Sequence, residues 1–106
     1  MAAILNDLLE ARAREHADLP AWQAGDVTLS WAQFADRVAR LGRGLQGLGI
    51  GPGDRVAVAL PNCLEFPTSF LAVASLGAVV VPLSTNFQER EVARYLEDFG
   101  VGCVIA

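Results

Sequence analysis

Gly49-Ile50-Gly51-Pro52-Gly53-Asp54, running into Arg55-Val56-Ala57-Val58-Ala59-Leu60, decides how this chain folds. Pro52 presets the first central position of a turn, and Gly53 supplies the positive φ that a type II turn requires at the second. The near-continuous apolar run that follows predicts a strand covered on both faces, as in a parallel sheet. Further on, Pro61-Asn62-Cys63-Leu64-Glu65 opens a helix, with Asn62 as N-cap and Glu65 at the capping-box position. That helix ends at Gly77, and Ala78-Val79-Val80-Val81-Pro82 reads as a second buried strand. A helix from about Gln88 to Phe99 and a third strand, Cys103-Val104-Ile105, complete the series. Strand, helix, strand, helix, strand with connections of this length implies parallel pairing through right-handed crossovers. The fold class is therefore α/β, a three-layer parallel sheet with flanking helices.

Towards the N-terminus, Ser30-Trp31-Ala32-Gln33 fits a capping box, in which the serine oxygen and the glutamine side chain satisfy backbone N–H groups reciprocally. Trp31, Phe34, Val38, Leu41, Leu45 and Leu48 then alternate three- and four-residue steps, the stripe of a helix lying on a sheet. Before it, Ala21-Trp22-Gln23-Ala24 and Val27-Thr28-Leu29 flank Gly25-Asp26 and read as a β-hairpin that packs through Trp22 and Trp31 on the long helix. Leu5 to His16 carries apolar residues at helical spacing and stops before Pro20.

The chain has 106 residues, 53% of them hydrophobic and 19% charged. This length allows one domain with its own core, and so apolar a balance excludes disorder. The net charge of −4, without a basic cluster, argues against nucleic acid, which requires an electropositive footprint. All 8 basic residues are arginine, so a phosphate-loop lysine and a Schiff-base lysine are excluded within these residues. Cys63, Cys103 and the single His16 fall short of a zinc site or a disulfide scaffold, and read as the free thiols and solvated histidine of a cytoplasmic protein. Met1-Ala2-Ala3-Ile4-Leu5-Asn6-Asp7 lacks a signal peptide's basic leader and apolar run. Phe66 to Gln88 is uncharged and long enough to span a membrane, but Pro67, Ser69, Ser75, Gly77 and Pro82 interrupt it. Three consecutive valines within it prefer a strand, so no transmembrane segment is expected.

Gly42-Arg43-Gly44-Leu45-Gln46-Gly47 matches the dinucleotide fingerprint G-x-G-x-x-G letter for letter. Its context is wrong. A phosphate-binding turn follows a strand and opens a helix, whereas these glycines lie in the C-terminal half of one, where the dipole repels an anion. Close packing against a neighbouring helix explains them better. No G-x-S-x-G elbow and no second histidine exist for a hydrolase site, and Glu89, Glu91, Glu97 and Asp98 share a solvated helix face with Arg90 and Arg94.

Leu29-Ser30-Trp31-Ala32-Gln33-Phe34, the Gly49–Ala57 stretch with Leu60-Pro61-Asn62, Leu76-Gly77-Ala78-Val79-Val80-Val81-Pro82-Leu83 and Glu91–Asp98 stand in that order. In this order they resemble the opening of the adenylate-forming enzymes, the AMP-binding superfamily of acyl-CoA synthetases, luciferases and peptide-synthetase adenylation domains. Trp31 stands where that family has tyrosine, Gln33 where it has glutamate, and Ser84-Thr85-Asn86-Phe87-Gln88 departs from its entry to the next helix.

The resemblance implies an acid–CoA ligase as the parent enzyme, using ATP, magnesium and coenzyme A. A carboxylate and ATP give an acyl-adenylate and pyrophosphate, and the coenzyme A thiol then takes the acyl group and releases AMP. The family's phosphate loop, ATP-gripping residues and catalytic lysine all map downstream. No catalytic, cofactor-binding or metal residue is therefore assigned here, and residues 1–106 are expected to be an incomplete N-terminal subdomain supplying scaffold. The rest of its own chain is expected on the sheet edge beyond Ile105, and a small carboxylic acid is the parent's substrate. The alternative is a natural short module for non-catalytic binding or dimerisation. A flavodoxin-like or receiver domain is disfavoured, since Pro61-Asn62-Cys63-Leu64 is no phosphate loop and a receiver requires lysine.

Overall fold

The computed structural model describes residues 2–61 and 63–106. Helix α1 (Ala2–Glu15) leads into a hairpin of β1 (Pro20–Ala24) and β2 (Val27–Ser30). Helix α2 (Trp31–Gly47) comes next, followed by β3 (Arg55–Val58), α3 (Glu65–Ser75), β4 (Val79–Pro82), α4 (Glu89–Asp98) and β5 (Cys103–Ile105). The hairpin is antiparallel and turns at Gly25, whose φ is +58°. One bulge, at Ala21, lies between the Pro20–Ser30 and Trp22–Leu29 pairs.

The type II turn forms as its residues require. The Asp54 N–H donates to the Gly51 carbonyl at 3.1 Å, and Gly53 has φ +82°. The Asp54 carboxylate accepts from the Gly51 N–H at 2.8 Å, which closes the turn a second time. The Gly53 N–H reaches the Gly77 carbonyl at 3.0 Å, so the turn before β3 is tied to the turn before β4.

Strands β3, β4 and β5 form a parallel sheet in the order β4-β3-β5. The central strand is the apolar one, and Val56, Ala57 and Val58 are wholly buried. Successive side chains on a strand face opposite ways. Val56 and Val80 accordingly join a core with Ala72 and Val73 of α3, while Ala57 and Val81 join Val92, Tyr95 and Leu96 of α4. The chain steps from β3 to β4 on one side, then crosses back to β5 on the other. Right-handed crossovers in opposite lateral directions must place their helices on opposite faces. The three layers follow from that reversal.

The capping box at α2 is present in both halves. The Gln33 N–H donates to Ser30 Oγ at 3.2 Å, and the Ser30 N–H donates to Gln33 Oε1 at 2.9 Å. Trp31 and Ala32 donate to the carbonyls of Leu19 and Ala17, so the first turn of α2 has no free donor. Phe34, Val38 and Leu45 of its stripe are buried, but Leu48 is 76% exposed and falls past the end of the helix. Helix α2 packs beside α3, α1 and the hairpin, and its buried side chains share one core with Val56 of β3 and with Cys103 and Ile105 of β5.

The start of α3 differs from expectation, and that of α4 agrees with it. Helix α3 begins at Glu65 with Leu64 as N-cap and no side-chain cap, and Asn62 lies outside the described residues. Pro67 fits there because its missing N–H falls in the first turn, where a donor would be unpaired anyway. Helix α4 begins after Gln88, again without a side-chain cap. The uncharged stretch from Phe66 to Gln88 forms α3 and β4, and no helix among the described residues is long and apolar enough to cross a membrane.

Candidate functional site

In open α/β sheets, ligands bind outside the carboxyl ends of the strands where the strand order reverses. Here the reversal lies beside β3, and a cleft of about 240 Å³ opens at the carboxyl ends of β3 and β5. Leu60 and Ile105 form its floor, while Arg37 of α2 and Glu65, Thr68 and Ser69 of α3 bring polar groups to it. Thr68 and Ser69 are buried. The Thr68 hydroxyl turns back into its own helix and donates to the Leu64 carbonyl at 2.8 Å. Glu65 is exposed at the mouth. The Cys63 thiol donating to its carboxylate holds the Glu65 pKa below the ordinary carboxylate range, with its own backbone N–H and then Arg37 adding to the effect.

This set binds more readily than it reacts. The only histidine, His16, is half-buried just past α1 and does not line the cleft. Cys103 lies on β5 on the α3 side of the sheet, and both thiols are free.

No lysine exists in the chain, and among the described residues no group of three His, Cys, Asp or Glu is gathered to hold a metal. The glycine run is in the C-terminal half of α2, and Gly42 within it is buried with Ser75 Oγ 3.4 Å from where a β-carbon would stand. Gly44 and Gly47 have nothing within 4 Å. Helix packing thus accounts for Gly42 alone. The acidic face of α4 is exposed, with one long ion pair from Arg94 to Asp98 at 3.9 Å.

Sequence reasoning found no site because Arg37 is distant in sequence from Glu65 and Ser69, and α2 meets α3 only in the packed fold. Trp31 packs against the core, but Trp22 is 38% exposed and lines an apolar groove with α1.

Comparison with known proteins agrees with this geometry. Among curated relatives, a long-chain-fatty-acid–CoA ligase of Mycobacterium tuberculosis is 42% identical over 80 residues, 76% of this chain and 16% of the ligase. A feruloyl-CoA synthase of Amycolatopsis sp is 37% identical over 94 residues, 89% of this chain and 19% of the synthase. The chain thus spans less than a fifth of the length of these relatives. Among solved structures, a fatty acyl CoA synthetase from Mycobacterium tuberculosis superposes with a TM-score of 0.88 at 37% identity, covering 94% of this chain and 20% of that one. The N-terminal subdomain of NpsA from Klebsiella oxytoca shares the fold alone, with a TM-score of 0.88 at 24% identity over 96% of this chain and 27% of its own. Residues 9–106 match the family of AMP-binding enzymes, and with this sheet order and these relatives the chain belongs to that family.

Proposed function

We propose that this chain is the opening, scaffold-forming portion of an ATP-dependent acid–CoA ligase, with residues 1–106 the first part of its large N-terminal domain. The observation that carries the reading is the run of four family motifs in family order, together with curated relatives whose names are those of CoA ligases for a fatty and an aromatic acid. The chain's own contribution is the β4-β3-β5 sheet and the helices that fix its two faces. ATP, magnesium and coenzyme A serve the whole enzyme through groups outside these residues, and the carboxylic acid is selected outside them as well. The rest of the enzyme's chain packs on the sheet edge, where Val104 is 43% exposed. A cytoplasmic setting suits the two free thiols.

Reading the coding sequence past the Ala106 codon tests this. A Ser/Thr/Gly-rich loop ending in lysine is expected, and the protein so encoded should release AMP and pyrophosphate from ATP in the presence of coenzyme A and a carboxylic acid. A stop codon directly after Ala106 contradicts it. The competing reading, a short module for binding or dimerisation, is favoured by one observation: Val79 on β4 and Val104 on β5 leave both sheet edges with exposed apolar side chains.

A further inference from the structure

Strand β3 has α3 on one face and α4 on the other, and the two helices are held differently. Helix α3 buries Thr68, Ser69, Ala72 and Val73 and packs on α2. Helix α4 buries no residue, and among the described residues no helix packs closely beside it. Val92, Tyr95 and Leu96 rest half-buried on Ala57, Val81 and Leu83. The other contacts of this segment are internal. Phe87, Tyr95 and Phe99 follow one another with ring centroids 5.4 and 4.7 Å apart. Arg94 pairs with Asp98, and the Asn86 N–H donates to Ser84 Oγ. At the helix end the Val101 N–H donates to the Leu96 carbonyl and the Gly100 N–H to the Glu97 carbonyl, a Schellman motif with Gly100 at φ +61°.

That motif leaves the Phe99 carbonyl over, and Arg55 at the start of β3 takes it, Nη1 donating at 2.6 Å. The guanidinium thereby meets the negative end of α4, where a cation is favoured. It crosses Gly100 so closely that a β-carbon there would stand 3.4 Å from Nη1. Among the described residues this is the one side-chain hydrogen bond that ties residues 84–101 to the rest of the chain. Just beyond it, the Gly102 N–H donates to the Arg55 carbonyl at 3.1 Å and begins the β5 ladder. A segment with few buried apolar contacts opens locally, at a lower free energy than the fold as a whole. We infer that α4 is a hinged cover on the Ala57 face of the sheet, latched by Arg55 and turning at Gly100–Gly102. Strand β5 stays in place when the cover opens, since Cys103 and Ile105 pack in the core on the other face. The aromatic row travels with the helix. Cover, latch and hinge lie within this chain, so the inference does not rest on the ligase reading.

Amide hydrogen exchange of the 106-residue chain, followed residue by residue by NMR, tests this. Protection of the α4 amides should be at least about tenfold lower than that of the β3 amides and of the β5 amides bonded to them. Arg55→Met, which keeps the stem and removes the donors, should lower α4 protection a further three- to tenfold, roughly the loss of one hydrogen bond, and leave α2 and α3 unchanged. Arg55→Lys keeps a cation at the helix end and should recover part of the loss. Gly100→Ala, strained at φ +61° and pressed on Nη1, should act in the same direction from the other side of the contact. Equal protection of α4 and β3 in the unaltered chain would overturn the assignment. So would a loss in Arg55→Met that spares α4 or spreads evenly over every element. An Arg55→Met chain that fails to fold at all would overturn it too, because the core does not need the latch of a cover.

Discussion

A β-carbon added at Gly42 would stand 3.4 Å from Ser75 Oγ, whereas one added at Gly44 would meet nothing within 4 Å. The two glycines share a helix and differ in surroundings, so they separate packing from propensity. Gly44→Ala should stabilise the fold by about 1 kcal/mol, the helix-propensity difference between the residues. Gly42→Leu should destabilise it by about 1–3 kcal/mol, because the extra methylenes are forced against α3. Urea unfolding of both variants checks the pair, and equal responses would refute the packing role. Glu65 offers a titration at the same scale. Its folded pKa is lowered, with the Cys63 thiol the leading cause. A lowered carboxylate pKa favours the ionised native form, so its contribution to stability is present above the ordinary carboxylate range and is lost as pH falls through the folded value. Cys63→Ala should raise the Glu65 pKa towards the ordinary range, read from its carboxyl carbon by NMR, and an unchanged titration would remove the thiol as the cause. The thiol–carboxylate contact was not legible in the sequence, where Glu65 read as the partner of Asn62 in a capping box.

Elements set by local chemistry were legible, and those set by packing were not. Helix α2 starts where Ser30 and Gln33 say it must, because both bonds of the capping box lie within four residues. Ser30→Ala should therefore cost about 1 kcal/mol, a drop in the midpoint of thermal unfolding that Ser30→Asp recovers in large part. The turn at Gly51–Asp54 is of the same kind, and the positive φ of Gly53 makes it specific to glycine. Gly53→Ala should cost about 1–2 kcal/mol, and more if the bond to the Gly77 carbonyl is lost with it. Denaturant midpoints measure this, with Gly47→Ala as the control at a position open to solvent. The start of α3 was misjudged because its first turn has no side-chain cap and is held by the burial of Leu64, Thr68 and Ser69, a tertiary effect. Leu48 fits the apolar stripe of α2 by spacing but falls after the helix has ended.

For the molecule as a whole, the alternation of strands and helices gave the α/β class, while the order β4-β3-β5 needed the coordinates. That order decides which face each helix covers and where the strand ends open into a cleft. Packing of α2 on α3 brings Arg37 to Glu65 and Ser69, which sit one turn apart on α3, and no spacing in the chain could announce that meeting. The proposed scaffold role expects this lysine-free portion to lack, by itself, the cationic grip that a triphosphate needs. Calorimetric titration of the 106-residue chain with magnesium ATP tests this account most directly. The account predicts no saturable heat, and a one-to-one isotherm with micromolar affinity would contradict it.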